Sequence, residues 1–297
     1  MVSALPLLRV TIRHYYDFGT DRAIVGDDLV RPDAWDRLRT KTSGVFAIPP
    51  TREEFVQTAE GRADIAGRAR AIDAWLEGRG ARVVASYGVG GAALEWWLHK
   101  LRPRRKLIVT DYGEATVQRL VETFPEVVVR YHDLRRDEPL VADVHLFHRI
   151  DTELTNREWQ EVFTRFARVP ILVVATEVLD LRRLLLELRL RRRMKLRHAT
   201  KAGYIRSSAA FEALWRPTHT SHPIRMHDLS SWELRPRAVG RTDSARGLSH
   251  TYEPLPDRRV RTRAAEPSDV IDHLRKGDRT VGGLSRHHEG GLQRPDP

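Results

Sequence analysis

A short apolar run, a glycine-rich turn and an apolar helical pattern follow one another within Arg82–Leu98. The run at residues 83–85 is typical of a strand that is buried on both faces, as in a parallel sheet. Three glycines lie in the turn at residues 88–91. Residues without a Cβ let a nucleotide-like ligand approach the backbone closely where it crosses the N-terminus of the next helix. This stretch therefore predicts an α/β fold with a ligand site at the turn.

Strand and helix patterns alternate after this point in the chain. We expect strands at Arg82–Ser86, Lys106–Thr110, Glu126–Tyr131, Asp143–Phe147 and Pro170–Thr176, with helices at Ala92–Leu101, Glu114–Thr123 and Arg157–Phe166 between them. Two short strands, His222–Asp228 and Ser231–Leu234, are joined so tightly that they must be antiparallel. The pattern predicts a Rossmann-like doubly wound α/β sheet of about seven strands, parallel with a terminal antiparallel pair, and with helices on both faces.

The chain has 297 residues, which is enough for one domain with extensions. Residues 1–50 show no strong period and are expected to form an N-terminal cap segment. A capping box, Thr51-x-x-Glu54, opens the main domain at residues 51–236, with a helical pattern running to about Leu76. Residues 237–297 are poor in apolar side chains and rich in Gly, Pro, Arg, Asp and Ser, so a mostly disordered tail is expected there.

The composition limits the chemistry that the chain can perform. It contains no cysteine, which excludes disulfides, thiolate metal sites and a cysteine nucleophile and is compatible with the cytoplasm. No apolar run is long enough to span a bilayer, and no metal-like spacing of histidines and carboxylates occurs. We therefore expect a cytoplasmic protein with neither a membrane partner nor a metal. The net charge of +11 favours anionic partners, although an arginine-rich composition also produces many simply solvated side chains.

Polar residues follow the first three predicted strands where their carboxyl ends meet, which is where doubly wound sheets bind ligands. Asp111 comes directly after the second strand, where a carboxylate can accept hydrogen bonds from both hydroxyls of a ribose. Asp133 comes at the end of the third strand, where it can accept from an adenine amine while Leu134 offers its backbone N–H. Two aspartates at successive strand ends behind a glycine turn favour an adenosine site over two unrelated turn residues.

On these residues the sequence resembles the class I S-adenosylmethionine (SAM)-dependent methyltransferases over roughly residues 53–235. The turn Gly88-x-Gly90, Asp111, the step at residues 132–134, the fourth strand at residues 142–150 and the closing antiparallel pair carry the resemblance. It implies SAM as cofactor, bound by Ser86, Tyr87, Gly88, Gly90, Asp111, Tyr112, Asp133, Leu134, Phe147 and His148. Phe147 and His148 are expected to lie near the sulfonium. Asp111 is expected to face the glycine turn and to matter little for folding.

The sequence departs from the family pattern at two positions near the turn. Ser86 stands where the family usually has an acidic residue, and Ala92 stands where a glycine is common. These departures keep open a non-catalytic cofactor-binding protein of the same fold. A nicotinamide-dependent oxidoreductase is a further alternative, because its cofactor also carries an adenosine ribose.

The resemblance implies methyl transfer to an acceptor that the sequence does not identify, by an in-line displacement in which positioning does much of the work. A base is needed only if the acceptor loses a proton, and His148 is a weak candidate for that role, with packing as the more favoured explanation. Asp151 is a weaker candidate, and Arg149 could hold an anionic substrate. A small-molecule acceptor is slightly favoured over nucleic acid, which the basic helix at residues 182–197 could bind. Leucines at helical spacing suggest that this helix buries one side.

Overall fold

The computed structural model describes residues 8–16, 32–41, 46–194 and 200–238. The predicted tail, apart from its first two residues, lies outside the described residues, as do Lys195 and Arg197 of the basic helix. The described elements are, in chain order, β1 (Thr11–Tyr16), α1 (Pro32–Arg39), α2 (Arg52–Glu60), α3 (Ala63–Gly78), β2 (Val83–Tyr87), α4 (Ala93–Leu101), β3 (Lys106–Asp111), α5 (Glu114–Thr123), β4 (Val128–Tyr131), β5 (Val144–His148), α6 (Asn156–Arg165), β6 (Ile171–Val174), α7 (Leu181–Met194), β7 (Thr200–Arg206), α8 (Ser208–Trp215), β8 (His219–Met226) and β9 (Leu229–Pro236).

Seven strands form the central sheet in the order β4-β3-β2-β5-β6-β9-β8. The strands from β2 to β6 are mutually parallel, whereas β9 runs antiparallel to both β6 and β8. Tyr87 lies level with Thr110 on one side and with Phe147 on the other, so β2, β3 and β5 end together at one edge. The predicted fold class, including the terminal antiparallel pair, is confirmed.

Helices cover both faces of this sheet because successive side chains of each strand point to opposite sides. One face packs against α2–α5 through a core that includes Phe55, Ile72, Leu98 and Leu120. The other face packs against α6 and α8 through a core that includes Phe163 and Trp215, both fully buried. Burial on both sides explains why β6 and the middle of β3 are apolar runs.

A second, two-stranded sheet pairs β1 antiparallel with β7. Residues 1–50, which show no period in the sequence, thus contribute a strand and the helix α1 to the described structure. The sequence carries little local signal for this pairing, because Thr11 lies opposite Arg206, far along the chain. Gly203 in β7 has a φ of +116°, and a Cβ there would lie 1.9 Å from the carbonyl oxygen of Thr152. This close approach holds the small sheet against the loop that follows β5.

The long basic helix α7 differs from the expectation that its leucines face the core. Leu181, Leu185, Leu186 and Leu188 are between 43% and 48% exposed. Among the side chains of α7 that the structure describes, the buried one is Glu187, whose carboxylate contacts His14 Nδ1 at 2.9 Å and Arg183 Nη2 at 2.8 Å. The contact with His14 of β1 therefore turns this side of the helix toward the small sheet.

In the described ranges we find no helix that combines the length and the apolar character needed to cross a bilayer.

Candidate functional site

The turn between β2 and α4 has a backbone that few side chains tolerate. Gly88 and Gly90 have φ values of +62° and +57°. A Cβ on Gly88 would also lie 2.6 Å from Cγ2 of Ile150, so this position has no room for a side chain. Ala92, the N-cap of α4, has a φ of +49° as well, which explains why a glycine suits that position.

Asp111 ends β3 and its carboxylate faces the turn. Its Oδ2 accepts a hydrogen bond from the Gly90 backbone N–H at 3.1 Å, and its Oδ1 accepts from the Gly113 N–H at 3.0 Å. Oδ1 also forms an ion pair of 2.7 Å with Nη1 of Arg39. Asp111 is fully buried and ion-paired, which argues against the expectation that it matters little for folding. Removing it would leave the Arg39 charge buried without its partner.

Arg39 reaches this position from the end of α1. Its guanidinium lies over the ring of Trp35, 4.9 Å from the centroid, and is itself buried. Nη1 also donates to Thr116 Oγ1 at 3.4 Å. The sequence offered no signal for Arg39, since one arginine among many in an aperiodic segment does not stand out.

Glu95 lies in the first turn of α4, on the opposite side of the glycine turn from Asp111. Its Oε1 accepts a hydrogen bond of 2.6 Å from the Ser86 hydroxyl, and no described residue donates a side-chain hydrogen bond to its Oε2. Burial raises the pKa of Glu95 to about 7, partly offset by the Ser86 hydroxyl. The chain thus supplies an acid beside Ser86 from α4 rather than from β2. The spacing between Ser86 and Glu95 was the signal that sequence reasoning missed.

A cavity of about 450 Å³ opens beside the glycine turn. Glu95 and the backbone at 88–94 form one wall, and α1 and α2 contribute apolar side chains to another. His148 and Arg149, from the end of β5, also line it, together with Glu153 from the following loop. A concave cavity that combines apolar side chains with several charged groups can take a small molecule.

A second cavity, of about 30 Å³, lies on the other side of Gly88. Tyr112, Asp133 and Leu134 line it, and Glu153 lines both cavities. This volume holds a few water molecules at most. The Arg135 guanidinium lies 5.3 Å from the centroid of the Tyr112 ring and helps to close it. A purine would fit only if these side chains moved apart.

Two titratable groups near the cavities have strongly shifted pKa values. Burial, followed by the positive charges of Arg149 and Arg68, lowers the pKa of His148 to about 3, so its imidazole is neutral at physiological pH. Its Nε2 is buried without a hydrogen-bond partner among the described residues. Burial raises the pKa of Glu153 to about 7, opposed chiefly by the charge of Arg39.

Comparisons with known proteins give no sequence relative. No family model and no curated protein matches the chain. Among solved structures, human N-acetylserotonin methyltransferase in complex with SAM is 18% identical, with a TM-score of 0.47, over 63% of this chain and 57% of that one. An O-methyltransferase family protein from Burkholderia thailandensis is 14% identical, with a TM-score of 0.46, over 76% and 65% respectively. The chain thus spans a little over half to two thirds of their length, and likeness at this level says nothing about activity.

The arrangement of the sheet itself decides the fold. The resemblance depended on two features, the glycine turn that joins β2 to α4 and the antiparallel pair that closes the sheet. In the structure β9 lies antiparallel beside β6, the last of the five parallel strands. The sheet thus has the arrangement that the resemblance to the class I SAM-dependent methyltransferases implied.

Within this fold, the structure brings six of the ten residues predicted to bind cofactor to the cavity walls: Gly88, Gly90, Tyr112, Asp133, Leu134 and His148. Ser86 and Asp111 lie directly behind those walls, bonded to Glu95 and Gly90. The side chains of Tyr87 and Phe147 point into the core instead. The Tyr87 hydroxyl bonds to His145 Nδ1 at 2.9 Å, and its ring packs edge-on to Phe147.

Asp133 has local partners that fix the loop after β4. Its Oδ1 accepts from the Arg135 backbone N–H at 2.9 Å, and its own N–H donates to Asp137 at 2.8 Å. Its carboxylate is thus held at the edge of the small cavity by the turn that contains it. The predicted role as an acceptor for an adenine amine stays a prediction.

Asp151, the second base candidate in the sequence, does not line either cavity. Its Oδ1 accepts from the N–H and the hydroxyl of Thr176, at 2.7 and 2.8 Å. Burial raises its pKa. Asp151 therefore anchors the end of β6 to the end of β5, a role that the sequence does not reveal.

Proposed function

We propose that this protein is a SAM-dependent methyltransferase that acts on a small-molecule acceptor. The observation that carries the proposal is the glycine turn, which lies between two buried carboxylates, Glu95 and Asp111, on the wall of a 450 Å³ cavity. Such a turn can carry the sulfonium end of the cofactor on its backbone, and each carboxylate suits one polar part of the molecule.

Glu95 would hold the amino group of the methionine portion. A buried carboxylate with one unbonded oxygen is stabilised by an incoming ammonium, because the ion pair offsets the cost of burial. The raised pKa of Glu95 is the physical sign of that unmet need. In this proposal Glu95 supplies the carboxylate that the family usually has at the position of Ser86. The Ser86 hydroxyl orients Glu95 through their hydrogen bond.

Asp111 would hold the ribose, and Tyr112, Asp133 and Leu134 would surround the adenine. The ribose hydroxyls can reach Asp111 only by exchanging with the Arg39 guanidinium, which occupies Oδ1. The small cavity must also widen to admit a purine. Cofactor binding is therefore proposed to displace α1 at Arg39, while the glycine turn keeps its shape.

When bound, SAM supplies a methyl group on a sulfonium, which is transferred by in-line displacement. The chain's contribution is to orient the acceptor and exclude water in the cavity. If the acceptor must lose a proton, Glu153 suits that task better than His148. A base is most effective when its pKa lies near the working pH, and the pKa of Glu153 is about 7 against about 3 for His148.

Isothermal titration of the full chain with SAM and with its demethylated product, S-adenosylhomocysteine (SAH), tests the proposal. We expect both to bind with micromolar dissociation constants, and NAD⁺ to bind at least an order of magnitude more weakly. Absence of binding by SAM and SAH at millimolar concentration would overturn the proposal. Tighter binding of NAD⁺ would favour the oxidoreductase, although the antiparallel β9 beside β6 speaks against that alternative.

A non-catalytic protein of the same fold is the second candidate, and the ion pair between Arg39 and Asp111 favours it. A domain that no longer binds a ribose could keep Asp111 by pairing it permanently within the protein. Turnover distinguishes the two. Incubation with methyl-labelled SAM and metabolite extracts should give a labelled small molecule if the protein is an enzyme, and none if the fold alone is kept.

A further inference from the structure

Three guanidinium groups, those of Arg62, Arg68 and Arg149, lie close enough to interact near the end of β5, and Arg62 and Arg149 line the large cavity. Arg68 is buried and binds Asp228 through two contacts of 2.9 Å, and Asp64 lies 3.3 Å from both Arg62 and Arg68. Arg149 is the third. Two carboxylates thus serve three guanidiniums, and one positive charge has no counterpart.

The guanidinium without a paired carboxylate is that of Arg149, which is exposed and lines the large cavity. Among the residues that the structure describes, none forms an ion pair or a side-chain hydrogen bond with its guanidinium. Asp151 is the carboxylate whose charge acts on it most, but Asp151 is committed to Thr176, and burial raises its pKa. The pKa of Arg149 is itself lowered, first by partial removal from water and then by the neighbouring Arg68 charge.

The backbone at Arg149 is also strained. Its φ is +60°, a left-handed conformation that residues with a Cβ seldom adopt. Its N–H is bonded to the Val174 carbonyl at 2.8 Å, so the conformation is fixed by the sheet. Strain of this kind, on a charged side chain without a partner at the edge of a cavity, is typical of binding sites.

The rest of the cavity limits what an anion there can be. Its walls away from Arg149 combine polar groups with aromatic and aliphatic side chains, namely Trp35, Phe46, Phe55, Ile65 and Pro49. A single unpaired guanidinium matches a single negative charge, and its planar fork matches a carboxylate. We propose that the acceptor is a small organic carboxylate, whose acid group binds Arg149 with Arg62 beside it and whose apolar body lies against the side chains of α1 and α2. This inference rests on the proposed methyltransferase function.

Titration calorimetry with matched acids and amides tests the inference. Benzoate, phenylacetate and hexanoate are titrated into the full chain in the presence of SAH, each beside its primary amide, which has nearly the same shape and no charge. We expect at least one acid to bind on the order of tenfold more tightly than its amide, as one charge-assisted hydrogen bond would give. Arg149→Gln should remove that preference, and Arg149→Lys should keep part of it.

Arg157→Gln is the matched control, because it removes the same charge from the exposed face of α6. It should keep the full preference for acids, and thermal melting monitors folding of each variant. Equal binding of acids and amides by the parent, or a preference that survives Arg149→Gln, would overturn the inference. Tighter binding of phenyl phosphate than of every carboxylate would overturn the choice of a carboxylate.

The same titrations separate this inference from the proposed function. If SAH binds and the acids show no preference, the acceptor is not an anion but the methyltransferase proposal stands. If an acid binds through Arg149 while neither SAM nor SAH binds, the anion site stands and the methyltransferase proposal fails.

Discussion

Glu95 and Asp111 are both buried carboxylates beside the same glycine turn, yet they have opposite environments. Asp111 accepts hydrogen bonds from two backbone N–H groups and pairs with Arg39. Glu95 accepts one hydroxyl, from Ser86, and burial raises its pKa to about 7. The difference shows that two carboxylates beside one turn can be buried to the same degree and still differ in how fully the protein itself satisfies them.

The strongest way to break this contrast is to remove Asp111. Asp111→Ala should lower the free energy of unfolding by about 3–5 kcal/mol, because Arg39 would keep a buried charge without a partner. Urea denaturation measures the loss. The double variant Arg39→Met with Asp111→Ala should regain most of it, since an apolar side chain then replaces the charge. A loss below about 1 kcal/mol for Asp111→Ala would mean that Arg39 simply turns to water.

Glu95→Gln tests the other side of the contrast through binding. We expect SAH to bind tenfold or more weakly, because a charge-assisted hydrogen bond contributes about 1.5–3 kcal/mol and each 1.4 kcal/mol is a factor of ten. Titration calorimetry at pH 8 measures the change. Glu122→Gln, the same substitution on the exposed face of α5, should bind SAH as the parent does. Equal affinity of both variants would remove Glu95 from the site.

Glu95→Gln weakens ligand binding in this proposal, but without ligand it should raise the free energy of unfolding. A carboxyl whose pKa is raised by folding holds its proton more tightly when folded, so its contribution to stability is present at acid pH and is lost as the pH rises through about 7. Glu95→Gln should therefore stabilise the protein at pH 8, on the order of 1–3 kcal/mol, and change it little at pH 5. Thermal melts at the two values measure this. An equal change in stability at pH 5 and pH 8 would show that the charge of Glu95 is not the cause.

Ala92→Gly tests whether the backbone is strained at the residue that joins the glycine turn to α4. Release of the left-handed strain is worth about 1–2 kcal/mol and exceeds the roughly 0.8 kcal/mol lost with one buried methyl group. We expect a net gain of about 0.5 kcal/mol in urea denaturation, and glycine is also the better N-cap. A loss of stability would show that packing of the methyl group outweighs the strain.

The central sheet could be predicted from the sequence because its signals are local. Apolar runs, capping boxes and glycine turns place β2–β6 and their helices within a few residues of where the structure has them. The turn and Asp111 were found by the same means, since the carboxyl ends of adjacent parallel strands must meet. These are rules about neighbours in a sheet, and they need no knowledge of distant contacts.

The charges that surround the turn could not be predicted in this way. Arg39 meets Asp111 across 72 positions of the chain, and the pairing of β1 with β7 links positions still farther apart. Glu95 lies only nine positions from Ser86, but whether their side chains meet depends on how α4 packs on the sheet. Whether each carboxylate is buried, and which groups it pairs with, depends on tertiary packing. A pattern of residue types along the chain does not predict that packing.

The pairing of β1 with β7 has a consequence for how the protein reaches its working form. His14 of β1 lines the large cavity, and the Ser207 hydroxyl accepts a hydrogen bond from the Val10 N–H at 3.1 Å, 197 positions along the chain. Contacts of such separation form late, because the intervening chain must first be ordered. We expect a folding intermediate with a complete central sheet and an open cavity, in which competence to bind is acquired last.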